Sequence, residues 1–246
     1  MILDGISVWE LAAMVAAFVA SGLVRGFNGG AGANFITAPV VAYILGAREG
    51  VPVIILLNLV SNIQVMPGAL PHADWRRMLP VGLAAMAMTP LGAWILLAVD
   101  EDVMRRIVAG TSIALSVLLL TGWRYSGPRG LPVRIGVGAL GGTITGAVSM
   151  GGPPVFLYLL SGPGTAAEQR ANFLAFGLLV QTGAILSYAA SGLISQNLLI
   201  LSAILFVPFT FACWAGMRLF AHVTDTQFRT LTLAGIAILS LVIAVL

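Results

Sequence analysis

The stretch GFNGGAGANF, residues 26–35, lies at the end of one apolar run and directly before the next. A second cluster, SMGGPP at residues 149–154, also precedes a short apolar run. Its glycine pair, Gly151-Gly152, follows the first pair, Gly29-Gly30, by 122 positions. Glycine and proline both interrupt regular helices, so each cluster predicts a break in the backbone.

The composition around these breaks is that of a membrane protein. The chain is 59% hydrophobic and 9% charged, with a mean hydropathy of +1.02, whereas soluble domains are about 25% charged. Many apolar runs approach the roughly 20 residues that a helix needs to cross a bilayer. The short alternating segments typical of a membrane β-barrel are not present in the sequence. We therefore predict an all-α polytopic membrane protein.

The order of the apolar segments suggests an internal duplication. Charged and turn-forming residues separate segments at 6–27, 33–45, 51–70, 79–99, 104–123, 131–148, 153–162, 169–191, 196–220 and 227–246. Each glycine pair introduces one of the two short segments, and three long segments follow. We predict two repeats, residues 1–124 and 125–246, each a glycine-tipped broken or hairpin helix followed by three transmembrane helices, together forming one transmembrane domain.

The arginines indicate how the repeats are oriented. All 12 basic residues are arginines, and basic residues are enriched in cytoplasmic loops. The loops around Arg76-Arg77 and at residues 124–134 are basic, whereas those around Arg48 and at residues 100–106 are acidic or mixed. If each glycine pair tips a hairpin, the other basic residues Arg170, Arg218 and Arg229 also fall on the cytoplasmic side. The arginine pattern therefore favours inverted repeats over two singly broken crossings.

Two symmetric breaks also predict a binding cavity. Non-helical backbone at membrane depth is tolerated only where it is buried in protein or lines a cavity, and transporter sites often lie between inverted repeats near the midplane. Backbone N–H groups at such breaks suit an anion. The predicted substrate-binding residues are the glycines Gly29, Gly30, Gly151 and Gly152 and the polar residues Asn28, Asn34, Asn62, Ser149 and Gln181.

Some of these residues have a second interpretation. Glycines recur every four residues at 22, 26 and 30 and again at 138, 142 and 146, which is also the spacing of close helix packing. Asn58, Ser61 and Asn62 form a polar stripe that either bonds to other helices or lines the cavity. Arg25 either extends to the membrane interface or supplies positive potential to an anion.

The sequence lacks the residues that several kinds of chemistry require. All nine acidic residues lie in loops or at segment ends, so the sequence offers no buried carboxylate for proton coupling. It also shows no intramembrane nucleophile and base pair and no metal-ligand spacing, so we expect neither enzyme activity nor a cofactor or metal. Sodium coupling through backbone carbonyls stays open.

The motifs GFNGGAGANFITAPVV, HADWRRMLPVGL and PLGAWI, with the second glycine-rich opening, resemble the sulfite exporter TauE/SafE family along essentially the whole chain. Pro153 and Pro154 stand where that family is expected to have a third glycine. The resemblance implies transport of sulfite, sulfoacetate or other organosulfonates across a bacterial inner membrane. The partners would be a small anion and the lipid bilayer, with a homodimer possible and no nucleic acid. An anion channel of the same architecture and a non-transporting membrane scaffold are the alternatives.

Overall fold

The fold is helical throughout the part that the structure describes. The computed structural model describes residues 6–30, 32–121, 123, 125–162 and 164–220. Nine of the predicted segments correspond to helices there, and the segment at 227–246 lies outside the described residues. The helices are α1 (Val8–Asn28), α2 (Asn34–Leu45), α3 (Ala47–Ala69), α4 (Trp75–Ala98), α5 (Glu101–Leu120), α6 (Leu131–Val148), α7 (Gly152–Leu160), α8 (Ala166–Ala190) and α9 (Gln196–Phe220).

The polytopic character is confirmed by helix length and composition. Six of the described helices, α1, α3, α4, α6, α8 and α9, are long and apolar enough to cross a membrane. Helix α7 has 9 residues and α2 has 12, so neither reaches the length of a crossing. The two short helices follow the glycine breaks that the sequence predicts.

Local signals fix the ends of these helices. Ser7 and Glu10 form a capping box at the start of α1, and α8 begins with the same motif, so exposed N–H groups of the first turn find acceptors. Helix α1 ends at Gly29, whose φ of 85° is left-handed. Helix α6 ends in the same conformation at Ser149, with φ 59°.

Glycines allow two pairs of helices to pack backbone against backbone. A Cβ atom at Gly26 of α1 would overlap the carbonyl oxygen of Cys213 on α9. On α6, a Cβ atom at Gly142 would overlap the carbonyl of Ala85 on α4. Residue numbers rise together along both interfaces, so α1 runs parallel to α9 and α6 runs parallel to α4. The packing interpretation of these spaced glycines is therefore confirmed within the helices.

The two short helices return toward opposite ends of the bundle. Helix α2 ends where the backbone N–H of Ala47 donates to the Glu101 carboxylate and Arg48 donates to the last carbonyls of α4. Helix α7 ends where the Tyr125 N–H donates to Ser161 Oγ over 2.8 Å. We call the end that carries Arg77 and Arg129 the basic end, and the end that carries Glu101 the opposite end.

Candidate functional site

Asparagine side chains connect the elements around the two breaks. Asn34, the first residue of α2, donates to the backbone carbonyl of Ser149 at the end of α6 over 2.6 Å. Asn58 of α3 donates to Asn34 Oδ1 over 3.3 Å. The break after α1 is therefore tied directly to the break after α6, through residues 115 positions apart in the chain.

A second set of bonds lies beside the first and includes a charge. Asn62 of α3 donates to Gln181 Oε1 on α8 over 2.8 Å. Arg25 donates from Nη1 to Asn62 Oδ1 over 3.2 Å. All three side chains are buried, so α1, α3 and α8 meet at one hydrogen-bonded cluster.

This cluster lies near the middle of the bundle. The side chain of Leu179 on α8 packs against Gly82 of α4, and Gly183 packs against Met86. Gln181 is therefore level with the centre of α4, which spans Trp75–Ala98. At a rise of about 1.5 Å per residue, that is roughly 15 Å from the basic end of α4.

A small cavity lies between the two breaks and the central helices. Its volume is about 30 Å³, enough for one or two water molecules. The candidate residues that line it are Arg25, Gly29, Gly30, Asn34, Ser149, Gly152 and Gln181. Asn28, Asn62 and Gly151 do not line it. Asn62 contributes indirectly, by bonding to both Arg25 and Gln181.

Among the described residues that line this cavity, Arg25 has the only charged side chain. It is 4% exposed, so the interpretation that it extends to the interface is wrong. Its Nε has no hydrogen-bond partner, and no carboxylate in the described part of the chain forms an ion pair with it. Arginine keeps its charge in proteins, so the cavity has a positive wall with unused hydrogen-bonding capacity.

Ser149 adds a second unused polar atom. Its Oγ is buried and has no hydrogen-bond partner, and the residue is 4% exposed. It is also the one non-glycine residue with positive φ in the described ranges, a conformation that costs roughly 1 kcal/mol or more without glycine. A serine at this strained position places a hydroxyl where glycine would place none.

The first glycine pair does not offer its N–H groups in this conformation. Gly29 N–H donates to the Arg25 carbonyl over 2.9 Å, and Gly30 N–H donates to Asn28 Oδ1 over 2.8 Å. The expectation that these two groups donate to a ligand therefore needs correction, since both already have acceptors. What Gly30 provides is space, because a Cβ atom there would lie 2.8 Å from Arg25 Nη1.

The two glycines of the second pair have different roles. Gly151 packs against α6, where a Cβ atom would overlap the Gly141 carbonyl. Gly152 lines the cavity, and no acceptor among the described residues bonds to its N–H. Pro153 and Pro154 have no N–H to satisfy. The start of α7 therefore presents a free backbone donor to the cavity, whereas the N–H groups of Gly29 and Gly30 are already bonded.

Two important residues escape sequence reasoning. Gly177 leaves room for Asn62, whose Nδ2 would lie 2.5 Å from a Cβ atom there. Arg170, read from sequence as a marker of topology, is 8% exposed and donates to the carbonyls of Gly26 and Phe27 over 2.7 and 3.1 Å. It thereby caps the end of α1, the favourable place for a cation. Both roles depend on the neighbouring helix, which a local pattern does not identify.

The described ranges contain no group of three His, Cys, Asp or Glu side chains placed to hold a metal ion. Among curated proteins and solved structures, none matches the chain. The family model of the sulfite exporter TauE/SafE matches residues 13–243, which is nearly the whole chain and includes every element of the cavity. Members of that family are transporters and not enzymes. The chain therefore belongs to the TauE/SafE family, and it is a multi-pass membrane transporter of sulfur-containing anions.

Proposed function

We propose that this transporter binds a small sulfur oxyanion, such as sulfite, sulfoacetate or another organosulfonate, in the central cavity and moves it by alternating access. The observation that carries the proposal is the buried Arg25 guanidinium, which faces the cavity without a carboxylate partner among the described residues. A buried charge is costly unless it is paired. An anion in the cavity would supply the missing partner.

The geometry suits an oxyanion. The planar guanidinium binds two oxygens of one anionic group side by side, and Arg25 Nε is unbonded. Asn62 accepts from Nη1 and so limits rotation of the guanidinium. Ser149 Oγ and the N–H of Gly152, which also line the cavity, provide neutral donors. The anion would then contact both breaks at once.

The architecture that we propose consists of inverted repeats, residues 1–124 and 125–246. Two helix pairs support it, each made of one helix from each proposed repeat. Helices α1 and α9 pack in parallel through glycines, and so do α6 and α4. If α1 of the first repeat corresponds to α6 of the second, and α4 corresponds to α9, the symmetry that relates the repeats places the α1–α9 pair on the α6–α4 pair. The direction of the short helices also supports the proposal, since α2 returns to the opposite end and α7 to the basic end.

The size of the cavity favours a carrier over a channel. A volume of about 30 Å³ holds one or two waters, so in this conformation the cavity is too small for an organosulfonate. An organosulfonate would enter only when the two halves separate. The bonds from Asn34 to Ser149 and from Asn62 to Gln181 cross between the proposed halves beside the cavity, so opening of the cavity would break them.

Uptake into liposomes tests the proposal. Purified full-length protein would be given labelled sulfite or sulfoacetate under an imposed voltage, with and without pH and sodium gradients. Saturable uptake with counterflow by unlabelled anion is the expected result for a carrier, and the accelerating gradient identifies the coupling. Linear, non-saturating flux of many anions would replace the carrier with a channel, and absence of flux for any organosulfonate or sulfite would contradict the proposal.

A matched glycine pair tests the position of the site. Gly152→Leu would fill the space beside Phe173, where even a Cβ atom lies 2.8 Å from the ring, and we expect uptake to be lost. Gly136→Leu on α6 is the control, because no atom lies within 4 Å of its Cβ position. Equal uptake by the two folded variants would place the anion elsewhere.

A further inference from the structure

A second, larger cavity lies at the basic end, separate from the central one. Its volume is about 180 Å³, and it shares no lining residue with the central cavity. Arg77 of α4, Arg129 of the α5–α6 loop and Arg134 of α6 contribute its three charges. Tyr158 of α7 and Asn172 of α8 complete much of the wall.

Carboxylates of the described residues balance the charge of this cavity only in part. Arg77 pairs with Asp74, Nε to Oδ2, over 2.8 Å. In the described ranges, neither Arg129 nor Arg134 forms an ion pair. The nearby carboxylate of Glu168 is used at the start of α8, where it accepts from the Thr165 N–H over 3.1 Å. Two positive charges therefore face the cavity without a counterion from these residues.

Arg129 is held in place, yet one of its nitrogens is unbonded. Its guanidinium carbon lies 5.1 Å from the centre of the Tyr158 ring, a stacking arrangement that favours a cation. Gly162 leaves room for the group, since a Cβ atom there would overlap Nη1. Nη2 is buried and has no hydrogen-bond partner, so it is a preorganised donor available to a ligand.

The loop that carries Arg129 is also anchored. The Tyr125 N–H donates to Ser161 Oγ over 2.8 Å, and the Tyr125 hydroxyl donates to the Pro128 carbonyl over 2.9 Å. The Tyr125 and Tyr158 rings lie 5.7 Å apart. Less conformational freedom is then lost when a ligand binds to the loop.

We propose that this basic cavity binds a phosphate- or sulfonate-type oxyanion group. Arginine is the residue best matched to such groups, because it donates two parallel hydrogen bonds to them. The group has two possible sources: the headgroup of an anionic phospholipid, which basic pockets at the membrane surface recognise, or a free anion outside the central cavity. The two sources offer the same chemistry to Arg129 and Arg134 and differ in their attachment to acyl chains.

The test measures the thermal unfolding midpoint of the full-length protein in neutral detergent during titration. The probes are dihexanoyl phosphatidylglycerol, dihexanoyl phosphatidylcholine, inorganic phosphate and sulfoacetate. A ligand that binds the folded state raises the midpoint. We expect phosphatidylglycerol or a free anion to raise it, and phosphatidylcholine to have no effect. A response to phosphatidylglycerol alone identifies a lipid site, whereas a response to phosphate or sulfoacetate identifies a free-anion site.

Arginine variants assign the effect to this cavity. Arg129→Gln and Arg134→Gln should each raise the half-saturating concentration by about tenfold, from loss of a charge-assisted hydrogen bond. Arg106→Gln removes the same charge from an exposed position on α5 and should leave the half-saturating concentration unchanged. Gly162→Ala changes no charge but displaces Arg129, so it should weaken binding even if the arginine variants fold poorly.

Repeating the titrations in Arg25→Met excludes the central cavity. This variant should keep the response of the basic cavity, while its half-saturating concentration for uptake rises. Equal responses in wild type, Arg129→Gln and Arg134→Gln would overturn the proposal, as would no response of the wild type to any probe. Either result would leave the proposed transport function intact, because that function is judged by uptake and by Arg25.

Discussion

Replacement of Arg25 gives the sharpest test of the central site. In the structure Arg25 makes one side-chain bond, to Asn62 Oδ1, and leaves Nε unpaired. A hydrogen bond to a charged group contributes about 1.5–3 kcal/mol. Each such bond to the anion that is lost in Arg25→Met should therefore raise the half-saturating concentration for uptake roughly 10- to 150-fold. Arg25→Lys keeps the charge but not the two-point geometry, so its effect should be smaller.

The same substitution should not damage the fold. Arg25→Met leaves Asn62 Oδ1 without its donor, at a cost of about 1–3 kcal/mol. It also removes a buried charge, whose desolvation costs several kcal/mol. The two terms oppose each other, so the unfolding midpoint without substrate should be unchanged or higher. Loss of anion affinity without loss of stability is a combination that a purely structural arginine would not give.

The assay compares initial uptake of labelled sulfoacetate into liposomes by wild type, Arg25→Lys and Arg25→Met at equal protein content. Thermal unfolding of the same preparations supplies the second readout. If Arg25→Met is folded and shows the half-saturation of the wild type, the anion does not bind at Arg25 and the proposed site is wrong. If Arg25→Lys behaves like Arg25→Met, geometry matters more than charge.

Three further substitutions separate packing from binding. Arg170→Met removes two bonds to the last carbonyls of α1, so the unfolding midpoint should fall by several degrees while half-saturation stays within about twofold of the wild type. Ser149→Gly relieves the left-handed backbone and should stabilise the fold by roughly 1 kcal/mol, while loss of the hydroxyl weakens sulfoacetate uptake. Gly142→Ala should destabilise by about 1–3 kcal/mol, because its Cβ would overlap the α4 backbone.

Each of these three predictions has an outcome that would contradict it. Gly136→Ala, on the same helix as Gly142 and facing open space, should be neutral or slightly stabilising, and equal losses at both positions would contradict the packing argument. An Arg170→Met variant that loses affinity as Arg25→Met does would mean that both arginines contact the anion. Ser149→Gly with unchanged uptake would leave the strain at this position without a role in binding.

Sequence alone predicts the helices well, because length and hydropathy are local properties. The segments at 131–148 and 196–220 coincide with α6 and α9, and both glycine pairs lie at the predicted breaks. The sequence also predicts that the polar residues of α3 share a face, since Asn58 and Asn62 are four positions apart. Which partners they contact was not predictable, because Gln181 and Asn34 lie on other helices far along the chain.

Whether an arginine side chain points to the membrane interface or into the protein depends on packing that the sequence does not reveal. Arg25 and Arg170 both lie near the ends of apolar runs, where arginines usually extend to the interface. Here α1 packs in parallel against α9, and α8 crosses the end of α1 closely enough for Arg170 to reach its carbonyls. Arg25 is thereby enclosed. The sequence also does not reveal that the N–H groups of Gly29 and Gly30 are already bonded, since their acceptors, the Arg25 carbonyl and Asn28 Oδ1, are supplied by the turn itself.

A buried arginine raises the question of how an anion would ever be released. Among the described residues, Arg25 has no carboxylate that would compete with the anion, so release must come from loss of the neutral donors that also line the cavity. In the proposed mechanism those donors, Ser149 and Gly152, belong to the second repeat, whereas Arg25 belongs to the first. Separation of the repeats would break the bond between Asn62 and Gln181 and remove half of the anion's contacts while water enters. The anion would then be held by one hydrated arginine, a weak interaction in a high-dielectric environment, and it would dissociate.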